Sequence, residues 1–199
     1  MLNKFNISLI LFFSAAIYLA RTTHRPLLPI FIVIVCAVVF YVIMAFCIRC
    51  NFFVKSTFNS TPGNVLLSFD DGPDEEYTLQ VLKILKKHNV KGAFFCIGKK
   101  AESKPQIIEA IKNDGHLIGS HTFTHPVNFG FMNGKKVQKE IKLGHISINI
   151  QNAHNQLFRP PIGITNPIIA KAIKNYKLHS VSWSLRSFDT VIKSEERLK

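Results

Sequence analysis

From Leu27 to Ile48 the chain reads LLPIFIVIVCAVVFYVIMAFCI, twenty-two residues without a charge. No other stretch limits the fold so tightly. As an α-helix it is about 33 Å long, which matches the hydrocarbon core of a bilayer. A shorter apolar run, FNISLILFFSAAIYLA from Phe5 to Ala20, precedes it across the charged spacer RTTHRP. A full span following so soon suits a helical hairpin or anchor better than a cleaved signal. Residues 1–50 are therefore expected to form a membrane anchor with one or two transmembrane helices, at about 5–20 and 27–48, and the lipid bilayer is an expected partner. Lys4 stands before the first run, Arg21 and Arg25 between the two, and Arg49 and Lys55 after the second. The two arginines of the short loop favour a cytoplasmic loop, which puts the remainder of the chain on the extracytoplasmic face.

Residues 51–63, NFFVKSTFNSTPG, read as a juxtamembrane linker ending in a Pro-Gly turn, and the following domain is assigned to 64–199. Short apolar runs there alternate with helical patterns. VLLSF at 65, GAFFCI at 92, HLIGS at 116, LFRPP at 157 and HSVSWS at 179 are five strand candidates. Helices are expected around Val81–Leu85, from Pro105 to Asn113, from Gly134 to Gln151 and from Pro167 to Asn175. This alternation argues for an α/β architecture with a parallel sheet, in which chemistry collects at the carboxyl ends of the strands.

The formal net charge is +13, yet all twelve acidic residues lie beyond position 50 among twenty-one Lys and Arg. The basic charge is mixed with acidic charge and not interleaved with exposed aromatics, so no nucleic acid partner is expected. Cys36, Cys47 and Cys50 fall in or beside the membrane-like run and Cys96 in a second apolar run, which is no secreted disulfide framework. The C-x-x-C of CIRC at 47–50 has no second pair and is assigned no chemistry.

At the end of the first strand candidate, Asp70 and Asp71 stand before Gly72-Pro73. An Asp-rich turn is one reading. The other is a division of work, one carboxylate on a metal and its neighbour toward a substrate. SHTFTH at 120–125 follows the third candidate and sets His121 and His125 four apart, the spacing of one helical face. With Asp71 at the same end of the sheet, two imidazoles and a carboxylate suit zinc or another borderline divalent ion with a position left open. Arg159, in FRPPIG, would project into that end and could pair with a carboxylate. Trp183 could wall a sugar or acyl pocket, or simply be core. Asp189 could orient Arg159. Five other histidines, His88, His116, His145, His154 and His179, read as structural or exposed.

In this order SFDDGP, HTFTH, RPPIG and WSLRSFDT resemble the polysaccharide deacetylase family, the carbohydrate esterases with a NodB homology domain; the likeness covers about residues 64–199. It implies a distorted (β/α) barrel and metal-dependent hydrolysis of N- or O-acetyl groups on a cell-envelope polysaccharide, peptidoglycan or chitin-like. It implies Asp70 as general base, Asp71, His121 and His125 as metal ligands, Arg159 holding Asp70 and Asp189 holding Arg159. It also implies a substrate surface of Pro161, Ile162 and Trp183, with the backbone N–H of Ile162 as oxyanion donor. The cofactor implied is a divalent metal, zinc first, and the partner an acetylated polysaccharide or oligosaccharide.

Two features depart from the family pattern. Thr190 stands where the family commonly has tryptophan, and the final Leu-x-His strand, whose histidine protonates the leaving amine, has no counterpart up to Lys199. The barrel is thus expected to be incomplete at its C-terminus. The rival expectation is a truncated or non-catalytic member that retains metal or carbohydrate binding.

Overall fold

The computed structural model describes residues 4–23, 27–59, 61, 63–148 and 156–187. Helices α1 (Lys4–Thr22) and α2 (Leu27–Phe46) lie side by side and run antiparallel. Phe5 sits 5.5 Å from Tyr41 and Phe12 5.7 Å from Phe40, while Ser8 and Tyr41 share a 3.0 Å hydrogen bond. None of their residues is buried, and each helix is long and apolar enough to cross a bilayer.

A six-stranded, wholly parallel sheet follows. Its strands are β1 (Ser56–Thr57), β2 (Leu67–Gly72), β3 (Gly92–Cys96), β4 (Leu117–Ser120), β5 (Leu157–Phe158) and β6 (His179–Val181), in the spatial order β1-β6-β5-β4-β3-β2. The connecting helices are α3 (Tyr77–Lys87), α4 (Gly98–Ser103), α5 (Pro105–Asn113), α6 (Gly134–Ser147) and α7 (Pro167–Asn175). Their starts follow from capping chemistry. Asn133 and Asn166 accept from the N–H groups of Lys136 and Ile169, at 3.0 and 2.8 Å, and proline opens α5 and α7 where no donor is needed.

Strand β3 is buried along its whole length, as a central parallel strand must be. Period-2 alternation divides its phenylalanines. Phe94 joins Leu82, Leu85, Ile108 and Ile111 in the core under α3 and α5, while Phe95 points to the opposite face. A second core gathers Val137, Ile141, Phe158, Ile169 and Ile173 between the sheet, α6 and α7.

Three sequence expectations change. The sheet has six strands, because residues 51–63 do not merely link: Ser56 and Thr57 pair with Ser180 and Val181, and the Ser56 and Ser180 hydroxyls meet at 2.7 Å. A two-residue strand has no periodicity to read. Helix α4 fills residues 98–103, where no element was expected. Cys47 and Cys50, assigned no chemistry, form a disulfide across the single 3-10 turn Ile48–Cys50.

Candidate active site

Because every strand is parallel, the segments leaving β2, β4, β5 and β6 emerge at one end of the sheet. At the end of β2 the ladder is irregular. Asp70 lies opposite Phe95 and Gly72 opposite Cys96, so Asp71 is an extra, bulged residue at φ 65°. A bulge re-aims the side chains beside it. Asp70 Oδ1 lies 2.6 Å from Arg159 Nη1, whereas Asp71 Oδ1 lies 3.7 and 3.5 Å from Nε2 of His121 and His125. The two adjacent carboxylates thus face different groups.

Arg159 leaves β5 and is almost wholly enclosed, its side chain 3% exposed. Each guanidinium nitrogen has an acceptor. Nε donates to the Val181 carbonyl at 3.3 Å and Nη2 to the Ser182 carbonyl at 3.1 Å, while Nη1 serves both Asp70 and the Ser68 hydroxyl, the latter at 3.0 Å. The guanidinium carbon lies 3.9 Å over the Phe95 ring, which explains why β3 turns that side chain inward. Burial pushes the Arg159 pKa down and the Asp70 carboxylate pushes it back up. A guanidinium so held remains a cation at neutral pH.

His121 and His125 do not share a helical face, as their spacing suggested. Residues 121–125 form an irregular loop in which Thr122 and His125 adopt positive φ, 65° and 53°, bringing the two rings to 4.7 Å between centroids. Bonds from elsewhere hold this shape. The N–H groups of Gly98 and Lys99, at the start of α4, donate to the Thr122 and Phe123 carbonyls at 2.9 and 2.8 Å. On the other side the Glu140 carboxylate of α6 accepts from Phe123 N–H, Thr124 N–H and the Thr124 hydroxyl, at 3.1, 2.8 and 2.9 Å. Gly144 lets α6 come this close, since a Cβ there would fall 2.4 Å from the Thr122 carbonyl carbon. Neither Glu140 nor Gly144 was singled out from the sequence, although an isolated glycine inside a helical pattern is a signal of close approach.

Left-handed backbone at Asp71, Thr122, His125 and Ile162 is concentrated at this end of the sheet. Such conformations in residues with a Cβ cost about 1–3 kcal/mol each and persist where surroundings over-determine them.

The donor set fits a divalent cation. One ligand atom from each of Asp71, His121 and His125 lies within 4.8 Å of the others. His121 Nδ1 is 2.6 Å from the Arg159 carbonyl oxygen, which can only accept, so the proton sits on Nδ1 and Nε2 offers its lone pair toward Asp71. Burial, the largest influence, pushes the His121 pKa below its ordinary value and favours the neutral ligand. The nearby Cys96 thiol, pushed up to about 12 by burial and then by Asp70, stays protonated.

The other expected site residues divide. Pro161 is buried and Ile162 half exposed at φ 49°, with the N–H groups of Gly163 and Ile164 closing turns onto Pro160 and Pro161. The Trp183 ring lies 5.3 Å from the Arg159 guanidinium carbon and packs over Gly163, where a Cβ would fall 2.8 Å from it. It therefore walls the cation's surroundings. Asp189 and Thr190 lie outside the described residues. Ser68 and Phe95, which complete the setting of Arg159, were not anticipated.

Residues 59–181 match the model of the polysaccharide deacetylase family. The chain belongs to that family. A peptidoglycan-N-acetylglucosamine deacetylase of Bacillus cereus is 38% identical over 128 residues, 63% of this chain and 46% of the relative. A family 4 carbohydrate esterase from Streptomyces lividans, solved with acetate, superposes with a TM-score of 0.63 at 28% identity, covering 70% of this chain and 72% of that one. A family 4 pseudoenzyme from Bacillus anthracis superposes with a TM-score of 0.64 over 72% of this chain and 52% of its own, at 21% identity, which shows the shared fold alone. This polysaccharide deacetylase family member spans about half the length of the Bacillus cereus relative. The family match begins two residues after β1, so the strand pairing with β6 is supplied by the juxtamembrane segment.

Proposed function

We propose that this chain is a membrane-anchored deacetylase that hydrolyses N- or O-acetyl groups on a cell-envelope polysaccharide, peptidoglycan or chitin-like, with zinc as its metal. The observation that carries the reading is the bulge at Asp71, which sets one carboxylate on Arg159 and the other on two histidines. Asp71, His121 and His125 hold the metal, which when bound polarises water and the acetyl carbonyl. Asp70 accepts the proton of the attacking water, and the four-acceptor clamp on Arg159 fixes where Asp70 stands. The Ile162 N–H donates to the developing oxyanion, and Pro161 and Trp183 border the sugar. Asp189 is assigned to orient Arg159 from beyond the described residues.

The two N-terminal helices support the anchor. The Arg21 and Arg25 loop supports an extracytoplasmic domain, and a disulfide between Cys47 and Cys50 suits an oxidising compartment. The test uses the full chain in detergent micelles, with bound metal and acetate release measured on acetylated chito-oligosaccharide and on peptidoglycan. Asp70→Asn is expected to keep the metal and lose acetate release. Metal bound by the unaltered chain with no acetate released from either substrate would instead establish the non-catalytic alternative.

A further inference from the structure

Away from the catalytic end, a groove of about 510 Å³ opens where the helical hairpin meets the domain. Phe5, at the start of α1, and Phe52 and Phe53, just after α2, form one apolar wall, and α7 forms the other. Pro167, Ala170, Lys171 and Lys174 fall on one face of α7, at helical spacings of three and four, so that face is apolar at its base and cationic at its rim. Lys55 adds a third cation. All three lysines are exposed, none has a carboxylate partner among the described residues, and no acidic side chain lines the groove. Phe5, Tyr41, Phe52 and Phe53 cluster, with ring centroids 4.8 to 6.5 Å apart, where the hairpin leaves its apolar length, the level at which aromatic side chains mark a membrane interface.

A long apolar floor beneath a rim of unpaired ammonium groups, at headgroup height, complements one kind of occupant. We infer that this groove binds an anionic phospholipid, its phosphodiester between Lys55, Lys171 and Lys174 and its proximal acyl chain against Phe5 and Phe53, and that the bound lipid seats α7 on the bilayer. The inference rests on the membrane reading of the two helices. It assigns a task to the basic charge that the hydrolytic site leaves unused.

The test uses the full chain. Extracted from membranes into detergent, it is examined by native mass spectrometry after exchange into mixed micelles holding equal phosphatidylglycerol and phosphatidylcholine. Retention of phosphatidylglycerol is expected to exceed that of phosphatidylcholine roughly tenfold or more, as several lysines at one headgroup predict. The triple substitution Lys55→Gln, Lys171→Gln, Lys174→Gln should abolish the preference while metal content and thermal melting stay unchanged. Inorganic phosphate should not displace the lipid, because it cannot fill the apolar floor. Equal retention of the two lipids, an unaltered preference in the triple variant, or displacement by phosphate alone would each overturn the inference. Alkaline carbonate extraction separates the two failures. A chain released by carbonate overturns the anchor together with the lipid site, whereas one that resists extraction yet shows no lipid preference overturns the lipid site alone.

Discussion

One bulged residue turns two neighbouring carboxylates toward different partners. Without the extra position at Asp71, regular pleating would send Asp70 and its successor to opposite faces of β2, one of them away from the site. The expected outcome of Asp70→Asn is a loss of about 10² to 10⁴ in acetate release with metal content unchanged, since the amide still meets Arg159 but takes no proton. Arg159→Met removes the cation that Asp70, Ser68 and two carbonyls share and leaves a partly buried carboxylate unpaired. It should lower unfolding free energy by about 3–5 kcal/mol, read from denaturant titration. A second outcome concerns acid. His116 is buried, and its Nδ1 accepts from the Gly92 N–H at 3.2 Å. Burial, followed by Lys91, holds its pKa below the ordinary 6.5, against a smaller opposing pull from Asp114. The unfolded chain therefore binds this proton more readily. Stability is full above about pH 6.5 and declines as pH falls through the depressed value. The denaturation midpoint should drop between pH 7.5 and 5, and His116→Asn, which keeps an acceptor for Gly92 but no titrating ring, should reduce that drop.

Helix α6 shapes the site through the histidine loop. Its Glu140 ties three donors of the histidine loop and its Gly144 admits the loop backbone. Gly144→Ala should displace Thr122 and with it both imidazoles, weakening metal affinity about 10- to 100-fold in a chelator competition, with Asp71 and Arg159 chemically intact. At this scale the sequence was legible where one element's own residues decide its form. Helices α5 and α7 begin at the prolines that announce them, and β3 reads directly from GAFFC. The histidine loop was misread because a spacing of four is a helical signal, while the bonds that determine its form come from α4 and α6, about 20 residues away on either side. Strand β1 was missed because its only evidence is its partner, β6. The Asp71, His121 and His125 cluster and the Asp70–Arg159 pair were legible as motifs; the bulge and the four-acceptor clamp, being properties of packing, were not.

Among the described residues the sheet ends in the two-residue β1 on one side and in the six-residue β2 on the other, where Leu67 and the preceding Val65 and Leu66 are exposed, Val65 at 87%. An apolar outer strand of this kind is a site for further pairing. The end of the N-terminal hairpin packs on the domain. Ile48, 4% exposed, packs toward Gly163, and the Thr165 N–H donates to the Ala45 carbonyl at 2.8 Å, at the end of α2. Ile48→Ala should destabilise the domain by about 2–5 kcal/mol, measured as a lower melting midpoint in micelles, although the residue lies in the run read from sequence as membrane span.

The bond from Thr165 to Ala45 also sets a distance. Had residues 51–63 been a slack tether, the RPPIG loop would wander over about 20 Å. Hung from the helix by its own backbone, it works at one altitude. On the proposed reading of a membrane-anchored deacetylase, the polymer must be brought down to the membrane face, and glycan strands already shelved in outer layers lie beyond reach.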